Sequence, residues 1–499
     1  MSGSATGSAG RPIILYFPRT GPDFLEPPFG LLCLATTLSR AGFETHLVDS
    51  RIEDFQQATR RCCAGRQPLF FGVTAMTGPQ IFHAIRISKY LKRRFTAPVV
   101  WGGLHVTLAG EQAIREPFID IILRGYADHT IVQLAGALSG DAARAPELRG
   151  IPGILLRGGP GEAPFIHPEL PLVDMTQLPQ PDWRLVALAR YVNSLYLPQR
   201  TAYLFTSRGC THACSFCYSR TVHRGRWQGR TAAQVAAELD QLDALVDFET
   251  VFFHDDNFSV DRARLEAIVR HLRQCGKKFV LSANCAGIDD AFLDLLAGAG
   301  CVRLDFAVES GSPRILRSYN KGFDLEAVAR AFDGASRRRI PVSICFILGH
   351  PEETRREIFQ TLDFIDSIRS RWPATNILDI KLLTPYPGTA VYELCRQRGM
   401  DPPRTLEGWG DFYWNSQRLV WSPEPLLCQD LSFISLFAFR HNHLHSQRGW
   451  LRWVYRQLHR LELWRWERRC FAWPLELRGM HWGLRIYNRL LRKLDLSYL

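Results

Sequence analysis

Residues Ser207 to Arg220 read SRGCTHACSFCYSR, which sets Cys210, Cys214 and Cys217 in the spacing C-x-x-x-C-x-x-C with no fourth cysteine close behind. Thiolates are the ligands that iron–sulfur clusters prefer and four make the usual closed set, so three on one short loop describe a [4Fe-4S] cube with one iron left open. An open iron is a place for chemistry. Gly209 lets the chain turn before the first ligand, and Phe216 and Tyr218 wall the site with apolar surface. The preceding run Tyr203-Leu204-Phe205-Thr206 predicts a strand that delivers the loop at its C-terminal end, where barrel enzymes carry their reactive groups. The competing reading is a structural zinc site. Zinc wants four ligands, usually from two paired C-x-x-C knuckles, so His212 or His223 would have to complete the set.

Outward from the loop, short apolar runs alternate with helical stretches on both sides. Downstream, strands are predicted at Ala202 to Thr206, Thr250 to His254, Lys278 to Ala283, Arg303 to Val308, Pro341 to Leu348 and Ile377 to Leu383, with helices at Ala232 to Leu245, Asp261 to Cys275 and Thr354 to Arg369. Six such pairs fall over residues 201–410. Upstream, Pro12 to Phe17, Thr45 to Val48, Leu69 to Thr74, Val99 to Trp101 and Ile119 to Leu123 predict a doubly wound, flavodoxin-like parallel sheet over residues 11–140. In that architecture ligands lie beyond the carboxyl ends of the strands. Those ends carry Pro18 to Gly21, Thr74 to Gly78 with Met76 and Thr77, Gly102-Gly103-Leu104-His105 and Arg124-Gly125-Tyr126. Residues 141–200 are rich in Pro and Gly and read as a linker between the domains, with a hairpin formed by Ile151 to Arg157 and Ala163 to His167.

The cysteine loop resembles the signature of the radical SAM enzymes. The resemblance implies that residues 201–410 form a partial (β/α)6 barrel and that the amino and carboxylate groups of S-adenosylmethionine chelate the open iron, with Phe216 near the adenine. It extends to the strand ends that follow. Asp255 and Asp256, in the run Phe253 to Phe258, stand where relatives contact the methionyl end; a helix cap and a solvated turn explain these two carboxylates equally well. Glu309 and Ser310 end the fourth strand, where a carboxylate accepts from ribose hydroxyls. Lys321 is placed to pair with the carboxylate of S-adenosylmethionine, its alternative being an exposed lysine. Leu348 and Gly349 are placed against the adenine, with Glu352 or Glu353 capping the next helix. Thr384 to Thr389 matches a turn near the substrate, and Tyr386, His254 and Tyr413 are weak candidates for a general acid or base.

Three upstream stretches, Pro27 to Asp49, Val99 to Ile114 and Asp120 to Asp128, resemble the cobalamin-binding domain often found ahead of a radical SAM domain. This assigns Thr74, Met76, Thr77, Gly102, Gly103, His105 and Gly125 to the corrin. The D-x-H-x-x-G motif that supplies a lower histidine ligand is absent, since Asp49 is followed by Ser50-Arg51-Ile52. His105 is then expected to pack or meet a phosphate rather than bind cobalt.

The chain has 499 residues, 46% of them hydrophobic and 22% charged, which is a globular composition large enough for several domains. Residues 1–10 form a Gly/Ser/Ala tail without the apolar core of a signal peptide, so the ten cysteines outside the loop are expected to be mostly buried thiols in a reducing cytoplasm. No stretch reaches 18 uninterrupted apolar residues, which excludes a predicted membrane span. The net charge of +12 is concentrated at the end: residues 440–499 hold thirteen Arg and Lys against four Asp and Glu. There Trp450, Trp453, Trp464, Trp466, Trp473 and Trp482 interleave with arginines from Arg448 to Arg469, in a helical region spanning 411–499. A cap over the open barrel, peripheral contact with the inner membrane face and nucleic acid are the partners such a surface suits; no RNA-binding module accompanies it, and nucleic acid is not expected.

The resemblance implies a cobalamin-dependent radical SAM enzyme that methylates an unactivated carbon of a small or lipid-like substrate, with a flavodoxin or ferredoxin as reductant. Oxidative cyclisation, carbon–carbon coupling or rearrangement on a tetrapyrrole or lipid is the alternative chemistry. A non-catalytic cobalamin or iron–sulfur binding protein is the alternative of another class.

Overall fold

The computed structural model describes residues 10–20, 25–140, 145–193, 197, 199–413, 418–439, 450–471, 474 and 479. Gly21, Arg448, Trp473, Trp482 and the tail up to residue 9 lie outside the described residues.

The first sheet holds β1 (Ile13–Phe17), β2 (Thr45–Asp49), β3 (Phe70–Thr74), β4 (Val99–Gly102) and β5 (Ile121–Leu123), followed by the two short strands β6 (Ile154–Leu156) and β7 (Phe165–Ile166). Its order is β2-β1-β3-β4-β5-β6-β7. The first five strands are parallel, in the flavodoxin-like order, and β1 and β3 are almost wholly buried, as strands covered by helices on both faces must be. The expected hairpin is β6–β7, and it runs antiparallel to β5, so it extends this sheet.

The second sheet follows β8 (Thr201–Leu204), after which β9 (Ser207–Gly209) and β10 (Trp227–Gly229) pair as a small antiparallel ladder around the cysteine loop. Then come β11 (Thr250–Phe253), β12 (Lys278–Ala283), β13 (Cys301–Glu309), β14 (Val342–Leu348) and β15 (Asn376–Leu382). The order β8-β11-β12-β13-β14-β15 is parallel throughout, and β15 does not pair with β8, so the barrel is open. Capping residues start its helices where the sequence supplies them: Thr231 and Gln234 form a capping box at Ala232–Leu245, and Thr354 and Glu357 another at Arg355–Arg371.

The exposed edge of β15 is closed by the helix Pro425–Phe439. Ser432 donates to the Ile380 carbonyl at 2.7 Å and the Ile380 N–H donates to Ser435 Oγ at 3.0 Å, which satisfies backbone groups that an open edge leaves bare. The helix Trp450–Glu467 packs on it through Phe437 with Tyr455 and Phe439 with Trp466. This part of the basic tail is therefore a cap on the barrel. The linker sits between the sheets: Tyr191 donates to Asp49 Oδ2 at 2.7 Å on one side, Arg230 to the Pro179 carbonyl at 3.1 Å on the other, and buried Trp183 meets Phe29 edge-on.

Candidate active site

The cysteine loop leaves β9 and ends in the helix Tyr218–His223. Gly209 has φ +85°, and a Cβ there would lie 2.1 Å from the Arg226 carbonyl oxygen, so no other residue fits before the first thiol. The three thiols are partly buried and lie close enough for the Cys214 and Cys217 thiols to be raised in part by their neighbours, Cys217 to about 12, with burial the larger cause for both. A cation bound among them reverses that penalty. Among the described residues, the groups whose ligand atoms all come within 4.8 Å of one another do not include these three sulfurs, as they would around a single ion. Three thiols on one loop fit a cluster with one open iron better than a structural zinc site, which is closed by four ligands.

Asp255 anchors the start of this loop. It accepts from the Thr206 N–H and Oγ1, both at 2.6 Å, and from Ser207 Oγ at 2.5 Å, and Arg264 braces the same turn by donating to Thr206 Oγ1. Asp256 accepts from Ser219 at 2.9 Å and stands 3.7 Å from His223, whose ring is bonded to the Tyr126 hydroxyl of the first domain. Arg208 reaches Asp128 of the first domain at 2.7 Å, and His254, just beyond β11, lies 3.3 Å from Glu26. Phe205, after β8, meets Phe29. The C-terminal edges of the two parallel sheets are therefore joined by these contacts.

Beside the loop, Lys321 is buried with Nζ 3.4 Å from Glu309 Oε1 and lies over the rings of Phe216 and Phe323. Burial alone pulls its ammonium down, but the carboxylate of Glu309 holds it above its ordinary value. Glu309 has φ +75°, and the β13–β14 register shifts between Ala307 and Glu309. Such a left-handed backbone costs a non-glycine residue about 1–3 kcal/mol and persists where its surroundings impose it; the bulge turns the carboxylate toward Lys321.

The chain matches the family model of the radical SAM superfamily over residues 204–365 and that of the B12 binding domain over residues 22–135. The chain carries a radical SAM domain preceded by a B12 binding domain. It is 28% identical over 372 residues to an uncharacterized methyltransferase of Pyrococcus horikoshii, covering 74% of this chain and 78% of that protein. It is 26% identical over 346 residues to the anaerobic magnesium-protoporphyrin IX monomethyl ester cyclase of Rubrivivax gelatinosus, covering 67% and 61%. In fold it resembles the radical S-adenosylmethionine methyltransferase TsrM from Kitasatospora setae, solved with cobalamin and a [4Fe-4S] cluster, with a TM-score of 0.65 at 20% identity over 79% of this chain and 76% of that one. The cofactors of this radical SAM protein are the cluster, S-adenosylmethionine and cobalamin.

The expected S-adenosylmethionine residues divide on this geometry. Phe216, Lys321 and Glu309 come together beside the thiols. Tyr218 is half-buried, edge-on against Tyr386, whose hydroxyl burial raises to about 12, away from ready proton transfer. Three placements differ from expectation. The oxygens of Asp255 are occupied by Thr206 and Ser207, so it positions the loop. Ser310 is turned to Thr361 Oγ1 at 3.2 Å, in the helix layer. Leu348 shares the core face of β14 with Ile344 and Phe346, all fully buried, because side chains alternate along a strand; Cys345 and Ile347 take the face toward Glu309, with Cys345 Sγ 4.0 Å from Glu309 Oε2. Gly349, at φ +96°, is held by Glu353 on its N–H at 2.7 Å and by Trp421 on its carbonyl at 2.9 Å.

At the cobalamin edge a Cβ on Gly103, which has φ +96°, would lie 2.7 Å from Thr74 Oγ1 and 2.8 Å from the Ala75 carbonyl oxygen. Gly102 continues β4 beside Thr74. Met76 projects from this edge with 45% of its surface exposed. His105 is buried with Nδ1 3.0 Å from Thr77 Oγ1 and its ring against Trp409. Gly125 donates to Thr107 Oγ1 at 3.0 Å and turns against Leu170, facing the linker.

Two contributors were not foreseen. Trp409 receives the Gly78 N–H at 3.0 Å on its carbonyl and donates to Gln112 at 2.6 Å, tying the chain after the barrel to the first domain. Glu26 carries a carboxyl that burial pushes up to about 7 beside His254, itself lowered to about 4 by burial. An isolated Glu before Pro27 gives no sequence signal of this pairing.

Proposed function

We propose that the protein methylates an unactivated carbon of a small or lipid-like substrate held between the two sheet edges. When bound, the cofactors supply a 5'-deoxyadenosyl radical for hydrogen abstraction and a methyl group for the carbon so activated. The chain's own residues hold the cluster through Cys210, Cys214 and Cys217, orient S-adenosylmethionine through Lys321 and Glu309, and seat the corrin over Gly103 and Met76. The observation that carries the reading is the joining of the two edges by the Arg208–Asp128 and Glu26–His254 contacts. Phe205, 37% exposed there, offers an apolar wall. Glu26, poised near neutrality, is the group best suited to exchange a proton with substrate.

Two partners follow from the surface. A groove of about 750 Å³ is lined by Arg314, Arg317, Arg356 and Arg398 together with Glu352 and Glu357, both of which pair with Arg314; the excess of arginine supports docking of an acidic electron donor such as a flavodoxin or ferredoxin. Trp453 and Trp464, 60% and 49% exposed on the cap beside Arg456 and Arg460, support peripheral contact with anionic headgroups on the inner, cytoplasmic membrane face. Among the described residues no helix is long and apolar enough to cross a membrane.

The test is anaerobic reconstitution with iron, sulfide and cobalamin, followed by turnover of candidate lipid, tetrapyrrole and amino-acid substrates with methyl-deuterated S-adenosylmethionine. A product heavier by the labelled methyl supports methylation. 5'-Deoxyadenosine with an unlabelled, oxidised product supports cyclisation, the reading that the likeness to the cyclase favours. Reduced protein that makes no 5'-deoxyadenosine overturns both.

A further inference from the structure

On the outside of the barrel Asp240, His271 and Cys275 bring their ligand atoms within 4.8 Å of one another. Asp240 lies on the helix Ala232–Leu245, His271 on the neighbouring helix Arg262–Gln274, and Cys275 at that helix's C-cap. His271 and Cys275 are four residues apart and so share a helix face. His271 Nε2 is 2.8 Å from Asp240 Oδ1 and 3.6 Å from Cys275 Sγ. A Cys–His–Asp relay uses the two ring nitrogens separately, one for the thiol and one for the carboxylate. Here both partners approach the same nitrogen. Nor is the thiol activated, since burial first and then the carboxylates of Asp240 and Asp243 raise it. An Asp–His ion pair explains the shorter distance but leaves an accessible thiol aimed at the same atom.

We infer that Asp240, His271 and Cys275 bind a soft divalent cation, zinc in the first instance, that staples the two helices together. One sulfur, one imidazole nitrogen and one carboxylate oxygen are zinc's preferred donor types, and bonds of about 2.0–2.3 Å around a tetrahedral centre put ligand atoms roughly 3.3–3.7 Å apart, leaving the fourth position to water. The cation replaces the repulsion between thiol and carboxylates with attraction. Cys275 lies three residues before Lys278, the first residue of β12, so the site is at the N-terminal edge of the sheet, opposite the cofactor edge. The site is open to solvent at its fourth position, unlike a closed four-ligand structural site, and it stands independently of the proposed methyl transfer.

The test uses the reconstituted holoenzyme, in which iron occupies the loop thiols. Alkylation of Cys275 by N-ethylmaleimide is followed by peptide mass spectrometry with and without added zinc chloride, and zinc per chain is measured after gel filtration. Zinc is expected to slow alkylation at least tenfold in the wild-type protein and to be retained at about one per chain. His271→Ala and Asp240→Asn should lose the protection, and Cys275→Ser the retained zinc, all with full iron content as the check on folding. Equal alkylation rates with and without zinc, or protection undiminished in both His271→Ala and Asp240→Asn, overturn the inference.

Discussion

The guanidinium of Arg208, two residues ahead of the first cluster cysteine, donates to both carboxylate oxygens of Asp128, at 2.7 and 3.2 Å, across the boundary between the two sheets. Both groups are largely buried, and the guanidinium also lies 4.5 Å from the centroid of the Tyr126 ring. The strand that presents the cysteines is thus fastened directly to the loop that ends β5. The alignment of the two edges depends on this pair more than on any exposed contact.

Removing one partner of a buried ion pair costs about 3–5 kcal/mol, because the other charge stays buried without compensation. Asp128→Asn is expected to lower the melting temperature. It should also uncouple the two edges, so that 5'-deoxyadenosine formed per methylated product rises several-fold while iron content stays unchanged. An unaltered ratio would mean that the pair serves stability alone.

Among the described residues, Lys321 is the one buried ammonium, set between the cysteine loop and Glu309. Lys321→Met removes a positive charge where a substrate carboxylate is proposed to bind, so KM for S-adenosylmethionine should rise about tenfold or more, equivalent to roughly 1.4 kcal/mol. Lys321→Arg should recover part of that loss. Because Glu309 would be left buried and unpaired, the double variant with Glu309→Gln separates lost binding from lost stability: its melting temperature should exceed that of Lys321→Met, while KM stays high.

Gly103→Ala adds a methyl group against the Thr74 hydroxyl and the Ala75 carbonyl, at a φ that L-residues rarely adopt. The strain is about 1–3 kcal/mol, and the displaced turn is the one assigned to the corrin. Cobalamin uptake measured from its visible absorbance should fall sharply, while the iron–sulfur absorbance remains. Gly136→Ala, in a helix with open space around it, is the control that leaves both unchanged.

Much of this site is legible in the sequence because the informative groups are local. The cysteine loop, the glycines after β4 and the run from Ala307 to Gly311 each sit within a few residues of a recognisable strand end. Contacts made across long separations are not legible. Asp255 reads as a cofactor ligand until its partners Thr206 and Ser207 are seen folding back from 49 and 48 residues away. The facing of Leu348 depends on register, and one step along the strand exchanges the core face for the face toward Glu309. Glu309 is aimed by a bulge that no local pattern announces. Glu26 and Trp409 are drawn in by domain packing, which sequence periodicity does not encode.

His105 supplies the last prediction. It is buried between Thr77 and Trp409, and burial lowers it to about 4 from the usual 6.5. Between those values the unfolded chain binds a proton that the folded chain refuses, so stability is fully present above about 6.5 and is lost as the pH falls toward 4. His83, lowered to about 3, and His254 and His350, each lowered to about 4, act in the same direction. Glu26 and Glu238, raised to about 7 by burial, and Glu353, raised to about 8, act in the opposite direction over the same range, so the effect of His105 is read from a variant compared with the wild-type protein at each pH. His105→Gln keeps a hydrogen-bonding group near Thr77 but does not titrate. It should melt below the wild-type protein at pH 7.5, from lost packing on Trp409, and the gap should narrow at pH 5. A gap that widens instead would show that His105 accepts its proton within the fold.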